Sequence, residues 1–174
     1  MRSGKDTVAD MFIDKGFYPY KLSMGITEII NQYFSDSVVK GSKLRTHYTT
    51  IGQSLRGLDD LVWLKHTWSV IQKESTMIGR KNVIITDIRQ KNEEEFLRKR
   101  GFTIIGVEAA DHLRIERARL ADSDFNISEL YHETEQSVDS IKADYWIQNE
   151  GTLQELQSKV EDLFLTNKLY YQHK

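Results

Sequence analysis

Residues Ser3-Gly4-Lys5-Asp6-Thr7 have the types and order of the second half of a G-x-x-x-x-G-K-[ST] phosphate loop. In such a loop a buried strand leads into a turn, and backbone N–H groups surround nucleotide phosphates where a helix starts. Gly4 would let the backbone come close to phosphate, and Lys5 would meet the β- and γ-phosphates of ATP as a cation. The position that normally supplies a hydroxyl to Mg²⁺ is Asp6, followed by Thr7. A carboxylate there could hold the ion directly or through water, and Thr7 could bond a phosphate oxygen. The same five residues also fit an ordinary turn and helix cap, so the motif takes its meaning from the rest of the chain.

Asp87 and Arg89 end the run Ile84-Ile85-Thr86-Asp87-Ile88-Arg89. Ligands of open α/β sheets bind at the C-terminal ends of strands. Asp87 could order Mg²⁺ or its waters there, and Arg89 could grip a substrate phosphate with its planar fork; a surface ion pair is the alternative. Arg56, in Gly52-Gln53-Ser54-Leu55-Arg56, could neutralise a monophosphate from a helix facing a cleft, or lie on a solvated face. Arg45 sits in a polar stretch and has less to recommend it. Arg114 and Arg117 share a helix face and Arg119 lies to one side. Such a basic helix could close over a transferring phosphoryl group, or simply pair with Glu116 and Asp122. His132 and Glu135 have i,i+3 spacing, with Asp144 and Asn149 downstream. Two ligands are too few for a metal site, so a structural hydrogen bond or a substrate contact suits them better.

These residues need a scaffold, and 174 residues suffice for one domain with a sizeable core. Hydrophobic residues make up 39% and charged residues 29%, the balance of a soluble globular protein. The net charge of −2 gives no general affinity for nucleic acid. The absence of cysteine removes disulfide frameworks and thiolate chemistry and fits a cytoplasmic setting. No apolar run approaches the ~20 residues of a membrane span.

Helix-like and strand-like stretches alternate, which argues for an α/β fold with a largely parallel sheet. The pattern predicts a helix over Thr7–Lys15 stopped by Gly16, with Val8, Met11 and Phe12 on one face, and a strand over Phe17–Leu22. Ile26, Ile29, Ile30, Tyr33 and Phe34 then have helical spacing. After a polar stretch at Asp36–Lys43 come helices over Thr46–Leu55 and Asp59–Lys73. The second carries a stripe of Leu61, Leu64, Trp68 and Ile71, with Asp59 as its cap. Asn82–Asp87 reads as the most buried strand, Asn92–Arg100 as a charged helix, Phe102–Val107 as a strand and His112–Asp122 as the basic helix. A loop at Asp122–Ser128 and a helix over Glu129–Ser140 follow. A strand at Tyr145–Ile147 precedes a last helix over Thr152–Leu165, on Leu153, Leu156, Val160, Leu163 and Phe164.

In order along the chain, five segments resemble the bacteriophage deoxynucleoside monophosphate kinases, a branch of the P-loop kinases. They are Arg2–Thr7 with Ala9-Asp10, Gly52–Arg56 with Trp63, and Thr86–Arg89 with Asn92-Glu93. His132–Glu135 and Ala143–Leu153, continuing into Glu155-Leu156, complete the set. The resemblance implies a three-layer αβα P-loop kinase fold in one domain over residues 1–174, with five parallel strands. It implies a helical NMP-binding insertion at roughly residues 23–75, a lid near residues 112–130, and Mg-ATP as phosphoryl donor. By position, Ser3 to Thr7 would hold the donor, with Lys5 on its phosphates and Asp6 or Thr7 near Mg²⁺. Arg56 and Arg89 would face the acceptor phosphate, and Arg114 or Arg117 would be lid arginines.

The family pattern places a buried strand and G-x-x before Arg2, and the first strand is absent here, so the expectation is that either the true start lies upstream of Met1 or the chain is a poor nucleotide binder. The expected reaction is phosphoryl transfer from ATP to a (deoxy)nucleoside 5′-monophosphate, with nucleotides as the only partners and neither nucleic acid nor membrane. An uncovered sheet or exposed aromatic patch would favour a homodimer. The competing readings are a dephospho-coenzyme A kinase-like enzyme and a degenerate, non-catalytic nucleotide-binding protein.

Overall fold

Among the described residues, short apolar runs bounded by turn residues form four strands, and these pair in parallel twos. The computed structural model describes residues 2–35, 45–79, 82–121, 140–167 and 169. The expected polar stretch at 36–43, the lid from residue 122 onward, His132, Glu135 and the predicted helix from Glu129 to residue 139 lie outside the described residues. The chain divides into two compact units, one of Met1–Phe17 with Ile88–Lys174, the other Tyr18–Asp87.

In the unit Tyr18–Asp87, β1 (Tyr18–Tyr20) runs parallel to β2 (Val83–Ile85), with Tyr18 opposite Val83 and Tyr20 opposite Ile85. Three helices connect them: α2 (Met24–Tyr33), α3 (Arg45–Arg56) and α4 (Val62–Ile78). The parallel pair requires such a crossover. Gly25 lets α2 approach α4, because a Cβ there would lie 2.9 Å from His66 and 3.1 Å from Trp63. The Trp63 indole donates to the Gly52 carbonyl at 3.1 Å, tying α4 to α3. The hydroxyls of Thr27 and Tyr48 meet at 2.8 Å and tie α2 to α3.

Several expectations for this unit need correction. Val83, Ile84 and Ile85 are half-buried rather than fully buried; among the described residues β2 pairs with β1 alone. The strand expected to reach Leu22 ends at Tyr20, because the Leu22 N–H leaves the ladder for the Asp87 carboxylate. The buried stripe of α4 is Trp63, Leu64, Thr67 and Ile71, while Leu61 and Trp68 are half-buried. That helix also continues past Lys73 to Ile78, since no breaker intervenes before Gly79 at φ 69°. Asp59 accepts a hydrogen bond from the Leu61 N–H at 3.0 Å, one residue ahead of the helix rather than as its cap.

The other unit contains α1 (Lys5–Asp14), α5 (Lys91–Arg98), β3 (Ile105–Glu108), α6 (Asp111–Ala121), β4 (Tyr145–Gln148) and α7 (Leu153–Asn167). β3 and β4 run parallel, with Ile105 opposite Tyr145 and Glu108 opposite Gln148. Helix α1 ends at Gly16, whose φ of 90° suits glycine. Its buried face is Val8, Ala9 and Phe12, with Met11 only half-buried. Phe12 packs on Phe164 of α7 at 4.6 Å between ring centroids, and Phe17 stands edge-on to both rings. Leu156, Val160, Leu163 and Phe164 form the buried face of α7 as predicted, but Leu153 in its first turn is exposed. The strand expected from Phe102 starts only at Ile105, because the Ile104 N–H is taken by the Asp144 carboxylate at 2.8 Å. Among the described residues no helix is long and apolar enough to cross a membrane.

Two acids in α5 are buried. Glu93 accepts the N–H groups of Arg89 (2.8 Å) and Gln90 (3.1 Å), closing the first turn as a capping-box acid does. Glu94, with a side chain 1% exposed, receives Lys91 Nζ at 2.8 Å, Arg98 Nε at 2.7 Å and the Lys142 N–H at 3.0 Å. Arg98 bonds on to Asp144 at 2.6 Å and to the Lys142 carbonyl. This network fastens α5 to the chain entering β4. Burial pushes the Glu94 carboxyl up, but the bonds from Lys91, Arg98 and Lys142 outweigh it and bring it down from 4.5 to about 2.

The unfolded chain therefore binds more protons than the folded one at acid pH. The contribution of Glu94 to stability is complete above about pH 4.5 and is lost as pH falls toward 2. Glu94→Gln should destabilise the protein at pH 7 by about 1–3 kcal/mol, since it removes the buried carboxylate that gathers the half-exposed Lys91 and Arg98 and the Lys142 N–H. It should also flatten the acid limb of stability. Urea unfolding at a series of pH values measures both, and an acid limb unchanged in Glu94→Gln would contradict this role.

Candidate active site

Helix α1 begins without a side-chain cap: Gly4 occupies the position before it at φ 96°, ψ 13°. The first helical bond is donated by the Val8 N–H to the Gly4 carbonyl at 3.0 Å. The N–H groups ahead of Val8 thus have no intrahelical acceptor, and they sit at the positive end of the helix dipole. Arg2 also has a positive φ, 59°, so the turn into α1 is tightly coiled. Asp6 in the first turn has the sign the dipole favours. Lys5 Nζ donates to Asp6 Oδ1 at 2.7 Å, with both side chains largely exposed. An exposed pair of this kind contributes only about 0–1 kcal/mol, so a phosphate can displace it easily. The structure describes Thr7 as half-buried in the first turn of α1.

Asn149, directly after β4, holds this turn. Its side-chain Nδ2 donates to the Ser3 carbonyl at 2.9 Å, and its own N–H donates to the Glu108 carbonyl at the end of β3 at 2.8 Å. A Cβ on Gly4 would lie 2.1 Å from Asn149 Nδ2, so the position needs glycine for space as well as for φ. On α6, Arg117 Nη2 donates to the Asn149 carbonyl at 3.0 Å. Ser3, Gly4 and Arg117 are thereby joined through one residue that is only 8% exposed. Asn149 is the part that motif reading did not single out as a site residue; its place two residues after the expected strand Tyr145–Ile147 was the available signal.

The two expected lid arginines have different partners. Arg114 Nη1 reaches Asp111 at 3.1 Å within α6, whereas Arg117 bonds the backbone after β4. Arg117 Nη1 is buried and has no hydrogen-bond partner among the described residues. Arg89 is half-buried where the chain approaches α5, and its N–H donates to Glu93.

In the unit Tyr18–Asp87, Asp87 follows β2 and turns its carboxylate onto the start of α2. Oδ1 accepts the Leu22 N–H at 2.6 Å and Oδ2 accepts the Ser23 N–H at 3.1 Å. The Thr86 hydroxyl beside it is buried without a partner among the described residues. Arg56 ends α3 and is half-buried. Among the described residues no three His, Asp or Glu side chains converge as a metal cage would require. Mg²⁺ in phosphate sites needs no such cage, because it keeps waters and phosphate oxygens and takes one or two carboxylates.

Replacing Asp87 by Ala removes the acceptor for two N–H groups at the start of α2 and should lower stability by about 1–3 kcal/mol. Asp87→Asn keeps one oxygen and should lose less. A thermal melt of Asp87→Ala within error of the parent would argue against this capping role.

A search among curated proteins finds no match. A model of the deoxynucleotide monophosphate kinase family matches residues 50–160, more than half of the chain. The matched stretch begins within α3 and ends within α7. It takes in Arg56, Asp87, Arg89, Arg114, Arg117 and Asn149, and Ser3 to Thr7 precede it. The chain belongs to the deoxynucleotide monophosphate kinase family.

Proposed function

We propose that the protein transfers the γ-phosphoryl group of ATP to the 5′-phosphate of a deoxynucleoside monophosphate, giving ADP and the deoxynucleoside diphosphate. The observation that carries this reading is the glycine-led, uncapped start of α1 with Lys5 beside it. Free N–H groups and a cation that only a weak surface partner engages suit the phosphates of a donor nucleotide.

An acceptor phosphate is already an oxyanion at pH 7, so the reaction needs no strong general base. Catalysis then consists of positioning and charge stabilisation. Ser3, Gly4, Lys5, Asp6 and Thr7 hold the donor. Arg56 and Arg89 face the acceptor phosphate, with Asp87 ordering the same region and His132 and Glu135 offering further substrate contacts. Arg114 or Arg117 stabilises charge on the transferring group. Asp6, Thr7 and Asp87 are the oxygen donors for Mg²⁺, which when bound offsets the negative charge of the phosphate oxygens. The architecture in this reading is the layered αβα P-loop kinase, with α2 to α4 as the monophosphate-binding insertion and α6 as the start of the lid.

Incubation with Mg-ATP and each deoxynucleoside monophosphate, followed by chromatography, tests the reading. At least one diphosphate product is expected. Lys5→Ala should lower kcat by about 10²–10³-fold, the scale on which removal of one charge-stabilising donor acts. No diphosphate from any acceptor would sink the proposal, and phosphorylation of dephospho-coenzyme A instead would redirect it.

A further inference from the structure

The reading above leaves open what sets the shape of the turn before α1. That turn combines two left-handed residues, Arg2 and Gly4, which short peptides do not hold by themselves. Something outside the turn must keep it in place. The described bond from outside is that of Asn149, whose Nδ2 reaches the Ser3 carbonyl at 2.9 Å. The same amide fills the space beside Gly4, where an added methyl group would meet it at 2.1 Å. Asn149 is in turn fixed on both sides of its own backbone. Its N–H extends the β3–β4 ladder to Glu108, and its carbonyl receives Arg117.

We propose that Asn149 is a positioning residue for phosphoryl transfer: its side chain sets the turn that presents the first N–H groups of α1, and its carbonyl holds the Arg117 guanidinium in register with that turn. The inference rests on the kinase reading for its substrate, but the contacts themselves do not depend on it. One residue at the rigid end of a strand then determines the geometry of two groups of donors, one on α1 and one on α6. Arg117 keeps a buried Nη1 with no partner among the described residues, so the bond to Asn149 uses only part of its donor capacity.

A merely structural asparagine would change stability without discriminating between substrates. A positioning role for the donor site predicts a split. In Asn149→Ala the KM for ATP should rise roughly tenfold or more and kcat should fall, while the KM for the deoxynucleoside monophosphate moves by less than about threefold. Amide hydrogen exchange of Val8, whose N–H bonds the Gly4 carbonyl, should speed up in the same variant, read by mass spectrometry on the ligand-free protein. Asn149→Asp keeps the shape and the backbone bonds but presents an acceptor to the Ser3 carbonyl, so it should show the same ATP-selective loss.

Wild-type KM for ATP together with wild-type exchange at Val8 in either folded variant overturns the inference. Failure of both variants to fold under conditions where the parent is folded also overturns it, in favour of a purely structural residue. If the parent protein itself makes no diphosphate, the kinase reading has failed. The positioning inference is then decided by the exchange measurement alone.

Discussion

A backbone N–H that leaves a β-ladder needs another acceptor, and in this chain carboxylates supply it. Asp87 takes the N–H groups of Leu22 and Ser23 where β1 gives way to α2. Asp144 takes the Ile104 N–H just before β3, while the Asp144 N–H returns a bond to the Ile104 carbonyl at 2.7 Å. Glu94 takes the Lys142 N–H on the approach to β4. The strands here are only three or four residues long, so their ends make up much of their length. Buried orphan amides at each end would cost more than so few ladder bonds contribute. The acids must remain ionised to serve as full acceptors, and the balance of forces on Glu94 and Asp144 holds both below the ordinary carboxylate range: burial opposes ionisation, and the bonds they accept prevail.

The same requirement explains what could and could not be read from the sequence. Helices with clear 3.6-residue spacing and a terminal glycine were legible, as with α1 before Gly16 and the buried face of α7. Strands were legible as apolar runs, but their ends were not. Nothing local to Leu22 or Ile104 reveals that its N–H will be claimed by an acid 65 or 40 residues away. The burial of β2 was overestimated for a related reason. A continuous Val-Ile-Ile run fits a strand covered on both sides, yet burial depends on which strands lie beside it, and that is a tertiary property.

The site divides along the same line. Gly4 and Lys5 stand out by type and spacing, because phosphate binding would restrict both. Asn149 does not, since a lone asparagine after a strand fits many loops. Its significance lies in three bonds to residues far apart in sequence: Ser3, Glu108 and Arg117. Arg114 and Arg117 looked equivalent on one helix face, but a turn of helix separates an arginine that closes on its own helix from one that reaches the backbone after β4.

Lys5 and the amides at the start of α1 would contribute to phosphate binding in different ways. The amides belong to a turn already held in shape, so they meet a charge without reorganising, and stabilisation by prealigned dipoles is large for that reason. Lys5 must first leave Asp6, but the pair is exposed and solvent screens it, so the exchange costs little. A buried partner would have held the lysine more firmly and made it less available. The chain thus anchors its larger ion-pair network on the buried Glu94 carboxylate, where Arg98 and Asp144 fasten α5 to the approach of β4. It leaves a weak, exposed pair beside Gly4, where a bound phosphate would require the lysine to change partners.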